Sequence, residues 1–254
     1  MSGVEDRTGA TRGQIEFRVL RTADELAVLP PFEHLVWGSG GDAVSVNMLV
    51  AVVIEGGVAI GAFAGDRVVG SVFGFPTREP DVLHSHYLAV DPAWRQRGLG
   101  VALKHRQRTW CLEHGYRAMR WTYDPLQLTN AHLNLRVLGA VGISYHVDHY
   151  GTLGGINGDL PSDRVTVRWD LESSASAGPY TLPTSMPTSM PTGAVAVVVP
   201  AVSAADIGAS TATALGARLA VRRDLAPLLA EGWRLVDVDR AARSYVVAPP
   251  AGHP

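Results

Sequence analysis

The sequence predicts an α/β (α+β) fold built on a mixed sheet, with a small C-terminal strand–helix–hairpin extension. Three observations predict it. Segments with strand periodicity alternate with helical ones from residue 15 to residue 171. A Pro/Ser/Thr-rich stretch, 173–193, sets that part off from a shorter apolar one. Apolar residues make up 46% of the 254 and charged residues 18%, enough to bury a core.

The elements follow in order. Residues 1–13 are polar and mixed in charge, which predicts a short disordered lead-in rather than a signal peptide. Residues 15–21 alternate apolar and polar as a strand does, and Thr22 or Asp24 is placed to cap a helix running toward Trp37. Residues 58–64 and 68–75 flank Gly65-Asp66 as a hairpin. A strand over 84–90 is stopped by Asp91-Pro92, and a helix over 99–113 is closed by His114-Gly115. A strand at 116–123, a helix at 128–138, and strands at 141–149 and 165–171 complete a domain over 14–172. In 173–193 the unit Pro-Thr-Ser-Met repeats, the composition of a linker or of a long surface loop. Beyond it, 194–254 reads as a strand at 194–200, helix over most of 204–231, and a hairpin of 233–239 with 244–247. So small a piece is marginal alone, and it should pack on the first domain or on a partner chain, where it could build a homodimer interface.

Composition narrows the function classes. With 22 basic and 24 acidic side chains the net charge is −2, which argues against affinity for nucleic acid through a basic surface. The one cysteine, Cys111, excludes an intrachain disulfide framework and a multi-cysteine zinc site, and it suits a reducing cytoplasm. Lys104 is the only lysine. No apolar run approaches the roughly 20 residues a membrane-spanning helix needs, so no membrane partner is expected.

The chemistry concentrates in the stretch from His84 to Lys104. A strand ends at Asp91-Pro92, a basic turn follows, and Arg95-Gln96-Arg97-Gly98-Leu99-Gly100 opens a helix. Glycines there let a ligand approach the backbone, and the helix start offers free N–H groups and a positive dipole end, the arrangement that binds phosphate. Arg95 and Arg97 add fixed charge. The loop lacks the Lys-Ser/Thr pair of a nucleotide-binding P-loop and the first glycine of the dinucleotide fingerprint.

Arg95-x-x-Gly98-x-Gly100 after Leu88-Ala89-Val90-Asp91-Pro92 resembles the acyl-CoA loop of the GNAT superfamily of N-acetyltransferases, over roughly residues 15–171. Asp124-Pro125-Leu126, Asn130-Ala131-His132-Leu133-Asn134-Leu135, Leu138-Gly139-Ala140 and Leu160-Pro161-Ser162-Asp163-Arg164 are similar to a branch known as predicted acetyltransferases. The resemblance implies a GNAT-like mixed, mostly antiparallel sheet flanked by helices, with acetyl-CoA or another acyl-CoA as co-substrate. The amides of Arg97, Gly98, Leu99, Gly100 and Val101, with Arg95 and Gln96, would hold the pyrophosphate. The backbone of Leu88, Ala89 and Val90 would pair with the pantetheine arm, and the amide near Leu88 would polarise the thioester carbonyl. Asn130 or Asn134 would bond the pantetheine amides.

Two family features are missing. The strand before the loop carries His84, Ser85 and His86 where many members have a carboxylate base, and Leu135 stands where many have an acid tyrosine. An alkylamine with a pKa of about 10 must lose a proton to attack a thioester, and a histidine can take it. His86 is the first candidate, on the expectation that strand alternation puts it on the face of Leu88 and Val90; His84 is the second. For the acid, Tyr123, Tyr145 and Tyr150 are available, with Tyr145 favoured. Asp124 either orients a substrate amine or caps the turn at 126–128. No metal site is expected, since the pairs His84/His86 and His146/His149 lack a carboxylate motif. Cys111 reads as a buried, inert thiol. The expected activity is transfer of acetyl to a small-molecule amine by direct attack in a ternary complex. Decarboxylation of an acyl-CoA, transfer to oxygen, or CoA binding without catalysis are the alternatives.

Overall fold

The computed structural model describes residues 15–38, 43–151, 153, 159–173 and 191–250. The lead-in 1–13 and the Pro-Thr-Ser-Met repeats lie outside the described residues. Ten strands form one sheet: β1 (Ile15–Leu20), β2 (Val58–Ala64), β3 (Arg67–Pro76), β4 (Val82–Val90), β5 (Ala118–Tyr123), β6 (Val141–His146), β7 (Arg164–Asp170), β8 (Val195–Val198), β9 (Arg234–Asp239) and β10 (Ser244–Ala248). Their order across it is β1-β2-β3-β4-β5-β7-β6-β9-β10-β8. Every described neighbour pair is antiparallel except β4–β5. That parallel pair needs a crossover, which α4 (Leu99–Glu113) supplies.

The helices before β2 depart from the single helix expected there. The chain forms α1 (Ala23–Leu26), with Thr22 and Glu25 in a reciprocal capping box, and then α2 (Leu29–Trp37). Pro30 and Pro31 lack the N–H a continuous helix would need, so a new helix starts with proline in its first turn. α3 (Val46–Ile54) was not foreseen. Its valines favour strands, but Ser45 accepts the Met48 N–H at its start and Leu49 is fully buried. Leu29 of α2, Leu49, Phe63 and Phe73 form one core cluster, with Phe32, Val36 and Ala89 beside it. A larger cluster runs unbroken from Leu99 and Leu103 of α4, through Trp121 and Trp169, to Val221 and Leu225.

After β5 the expected helix begins as α5 (Leu128–Ala131) and widens into a π turn, His132–Val137, with the Leu138 N–H reaching back to the Leu133 carbonyl. The extension consists of α6 (Ala204–Gly208), α7 (Ala212–Ala230) and strands β8–β10. It does pack on the first part: β9 continues the sheet where Leu235 pairs with Gly142 of β6. A Cβ on Gly142 would lie 2.6 Å from the Leu235 Cβ, so the glycine is what lets the strands meet.

Candidate functional site

β4 and β5 pair only at Val82–Ala118, Leu83–Met119 and His84–Arg120. From Ser85 to Val90, β4 keeps its pairing to β3 and has no partner on the β5 side. The sheet is therefore split by a slot whose one wall is the free edge of Leu88, Ala89 and Val90. A continuous ladder here would have left no room for a pantetheine arm.

The loop at the open end is built from Asp91 outward. Its Oδ1 accepts the Ala93 N–H at 2.8 Å, and its Oδ2 accepts from Arg67. A short 3-10 turn, Pro92–Trp94, follows. Gln96 and Gly98 both take positive φ, 59° and 81°, a curl that strains any residue but glycine at the second position. α4 then begins with no side chain capping its first N–H groups. Arg95 and Arg97 are exposed; Arg95 Nε donates to the Val90 carbonyl at 3.2 Å and Arg97 lies over the Trp94 ring. A Cβ on Gly100 would lie 3.4 Å from the Leu88 side chain and 3.7 Å from that of Val90, ordinary contact distances that place the first turn of α4 directly against these two residues. A basic loop, a helix start with no side-chain cap and an unpaired strand edge are the features that a nucleotide diphosphate joined to an amide-rich arm requires.

A bulge changes the expected face of His86. Phe73 pairs with Tyr87 and Gly74 with Ser85, so His86 is the extra residue of β4. Ser85, before the bulge, reaches α4, where its Oγ donates to Gln107 at 2.7 Å. Leu88 and Val90, after it, approach α4 as well. His86 instead lies beside Phe73 and Phe75, with His84, whose ring stacks on Phe75 at 4.6 Å. Alternation would have put His86 with Leu88 and Val90; the inserted residue puts it on the other face. Burial holds its imidazole below the usual range while the side chain stays accessible to solvent. Burial, reinforced by His86, Arg120, Lys104 and His149, lowers His84 to about 4.

That face continues as a polar surface. Arg120 and Arg168 both donate to Glu79, Thr122 Oγ1 lies 3.0 Å from the Tyr150 hydroxyl, and His149 packs on Tyr150. His146 Nε2 is 2.9 Å from Thr166 Oγ1. Among the described residues no group of three or more potential metal ligands converges. No described helix is long and apolar enough to cross a membrane.

Two other sequence candidates have taken structural partners. Asp124 accepts Arg218 of α7 in two bonds, at 2.6 and 2.9 Å, and caps the Leu126 N–H at 2.9 Å, which uses three of the roughly four acceptor positions of a carboxylate. Tyr145 donates to Asp163 at 2.6 Å, and Arg222 clamps the same buried carboxylate. Burial and the hydrogen bond to Asp163 push its phenol up. Neither joins the group around His86. Asn130 is exposed on α5, whereas Asn134 is buried and accepts the Trp121 indole N–H at 3.2 Å rather than facing solvent.

Three buried polar groups went unnoticed as site candidates in the sequence. Lys104 is buried at 2% exposure and donates to Ser85. Gln107 is fully buried, with its Nε2 unpaired. Glu33 of α2 is buried with its carboxyl pushed up by burial, and its Oε1, the Tyr87 hydroxyl and the Ser71 hydroxyl find no hydrogen-bond partner. The spacing Leu29, Phe32, Glu33, Val36 was the available signal for the last.

A family model described as the acetyltransferase (GNAT) family matches residues 42–140, the region that holds the slot and the loop. No curated protein matches the chain. Among solved structures, the ribosomal-protein-S18-alanine N-acetyltransferase of Escherichia coli superposes with a TM-score of 0.52 at 15% identity, covering 63% of this chain and 96% of its own. The Salmonella typhimurium protein yncA, solved with its cofactor acetyl-CoA, gives 0.52 at 16% identity over 66% and 98%. An N-acetyltransferase from Staphylococcus aureus gives 0.51 at 13% identity over 63% and 100%. Residues 42–140 thus match the acetyltransferase (GNAT) family model, and the chain shares its fold with these acetyltransferase structures.

Proposed function

We propose that the protein transfers acetyl from acetyl-CoA to the amine of a small molecule, by direct attack in a ternary complex. The observation that carries this reading is the parting of β4 from β5 immediately beyond His84–Arg120, with the basic loop and the uncapped start of α4 at its mouth. Arg95, Gln96, Arg97 and the amides from Gly98 to Val101 would hold the pyrophosphate. The free edge of Leu88, Ala89 and Val90 would bond the pantetheine arm, and the amide near Leu88 would meet the thioester oxygen. Asn130 is near enough in sequence to the slot's β5 wall to serve the arm's amides.

On the other face, His86 would take the proton of the attacking amine. The bulge projects it from the first turn of the unpaired stretch, and burial keeps it neutral near pH 7, the form a base needs. Phe75, Arg120, Thr122 and Tyr150 supply an aromatic and polar surface for the acceptor. Cys111 is buried, with its thiol pushed up to about 12, which argues against a covalent relay. The test is to incubate the protein with acetyl-CoA and a panel of amines, and to follow thiol release and the mass of the acceptor. Amine-dependent thiol release with an N-acetylated product supports the reading. Conversion of malonyl-CoA to acetyl-CoA without an acceptor would replace it by decarboxylation.

A further inference from the structure

Lys104, the only lysine of the chain, occupies an unusual position. Ser85 and Trp121 are the first residues of β4 and β5 beyond the last paired couple, His84–Arg120. Lys104 Nζ lies 2.8 Å from Ser85 Oγ and 3.6 Å from the centre of the Trp121 ring. It therefore bridges the two strands at the closed end of the slot. From Val90, at the loop, to Ser85 the strand covers about 16 Å at ~3.3 Å per residue, the reach of an extended pantetheine arm.

Its surroundings are those of a labile cation. The indole face and the serine oxygen favour the ammonium form. Among the described residues it has no ion-pair partner, and no carboxylate acts on it. The groups around it are Ser85 and, behind it, His84 from β4, Trp121 from β5, and Gln107 and Cys111 from α4. Burial lowers it from the ordinary 10.5 to about 7, so it holds its proton weakly at neutral pH. Ser85 is fixed in turn by Gln107, and Trp121 by Asn134, so Nζ is held from both sides.

We propose that Lys104 is the proton donor to the departing thiolate, in the role for which the chain offers no tyrosine at Leu135. Lys104 gives its proton to the sulfur as the carbon–sulfur bond breaks and its electron pair stays on sulfur. The acyl carbon keeps the new bond to the amine nitrogen, whose proton goes to His86. Solvent then takes the proton from His86 and returns one to the neutral lysine, which restores both groups. This rests on acyl-CoA occupying the slot.

The test uses free coenzyme A and needs no acceptor. Its thiol is titrated by thiolate absorbance when bound to the unchanged chain and to Lys104→Met, each against the same protein without ligand. Cys111, at about 12, stays protonated across the useful range. A thiolate beside Lys104 holds the lysine's proton in place, so the pair ionises as thiolate and ammonium, and the bound thiol loses its proton at lower pH on the unchanged chain than on Lys104→Met. Ser85→Ala, which keeps the lysine, should show an intermediate shift. Equal titrations of the thiol on the unchanged chain and on Lys104→Met overturn the inference while leaving the proposed function standing. So does acetylation of Lys104 itself on incubation with acetyl-CoA, located by peptide mass mapping, since that makes Lys104 a nucleophile. Failure of the unchanged chain to bind coenzyme A overturns both.

Discussion

His84 of β4 and Arg120 of β5 are the last facing residues of the sheet's parallel ladder, and everything assigned to chemistry lies within a short reach of that couple. Toward α4, the next residues hold Lys104; on the opposite face stand His84 and the bulged His86; along the slot runs the free edge up to Gly98 and Gly100. Under the proposed function these become a cofactor side and an acceptor side with the split sheet between them.

His84 makes the fold sensitive to acid. Its imidazole titrates at about 4 in the folded chain and near 6.5 when unfolded, so the unfolded chain binds the extra proton between those values. The contribution is complete above pH 6.5 and is lost as pH falls toward 4, by up to about 3 kcal/mol. Urea unfolding of His84→Gln should show a flatter decline over that window than the unchanged chain.

Lys104 acts in the same direction at higher pH. A lysine at about 7 in the folded state and about 10.5 unfolded favours the unfolded chain below that interval. Stability should rise from pH 7 to 10, and Lys104→Met should be the more stable protein at pH 7, losing that rise. Thermal unfolding at the two pH values measures both.

Arg218 and Asp124 tie the extension to the end of β5. Arg218 is 2% exposed, so Arg218→Met leaves a buried carboxylate without its partner, at about 3–5 kcal/mol. The double variant Arg218→Met/Asp124→Asn should recover much of that loss in denaturant unfolding.

Gly142→Val should force β9 away from β6. Its side chain would enter space the Leu235 Cβ already occupies, a strain of about 1–3 kcal/mol. Amide exchange should speed up in Arg234–Asp239 while β4 keeps its protection.

Much of this was legible in the sequence. The helix over 99–113 has the predicted ends, because a left-handed glycine starts it and His114-Gly115 stops it. The hairpin at Gly65-Asp66 and the strand before Asp91-Pro92 follow equally from turn chemistry. The face of His86 did not, since a bulge inserts one residue and alternation assumes none. Asp124 and Tyr145 carried no sign of α7, whose arginines reach them from far along the chain. Lys104 had a signal that went unused: Leu103, Lys104, Gln107, Trp110 and Cys111 recur at core spacing, which places a lysine on the buried stripe of α4.

The central claim is that the slot and its loop hold an acyl-CoA. Isothermal titration with acetyl-CoA, on the unchanged chain and on Arg97→Ala/Gly98→Asp, tests it most directly. Binding near the micromolar range that the double variant loses is the expected result, because aspartate at a left-handed position brings strain and a like charge to the phosphate site. No binding by the unchanged chain, or equal binding by the variant, would contradict it.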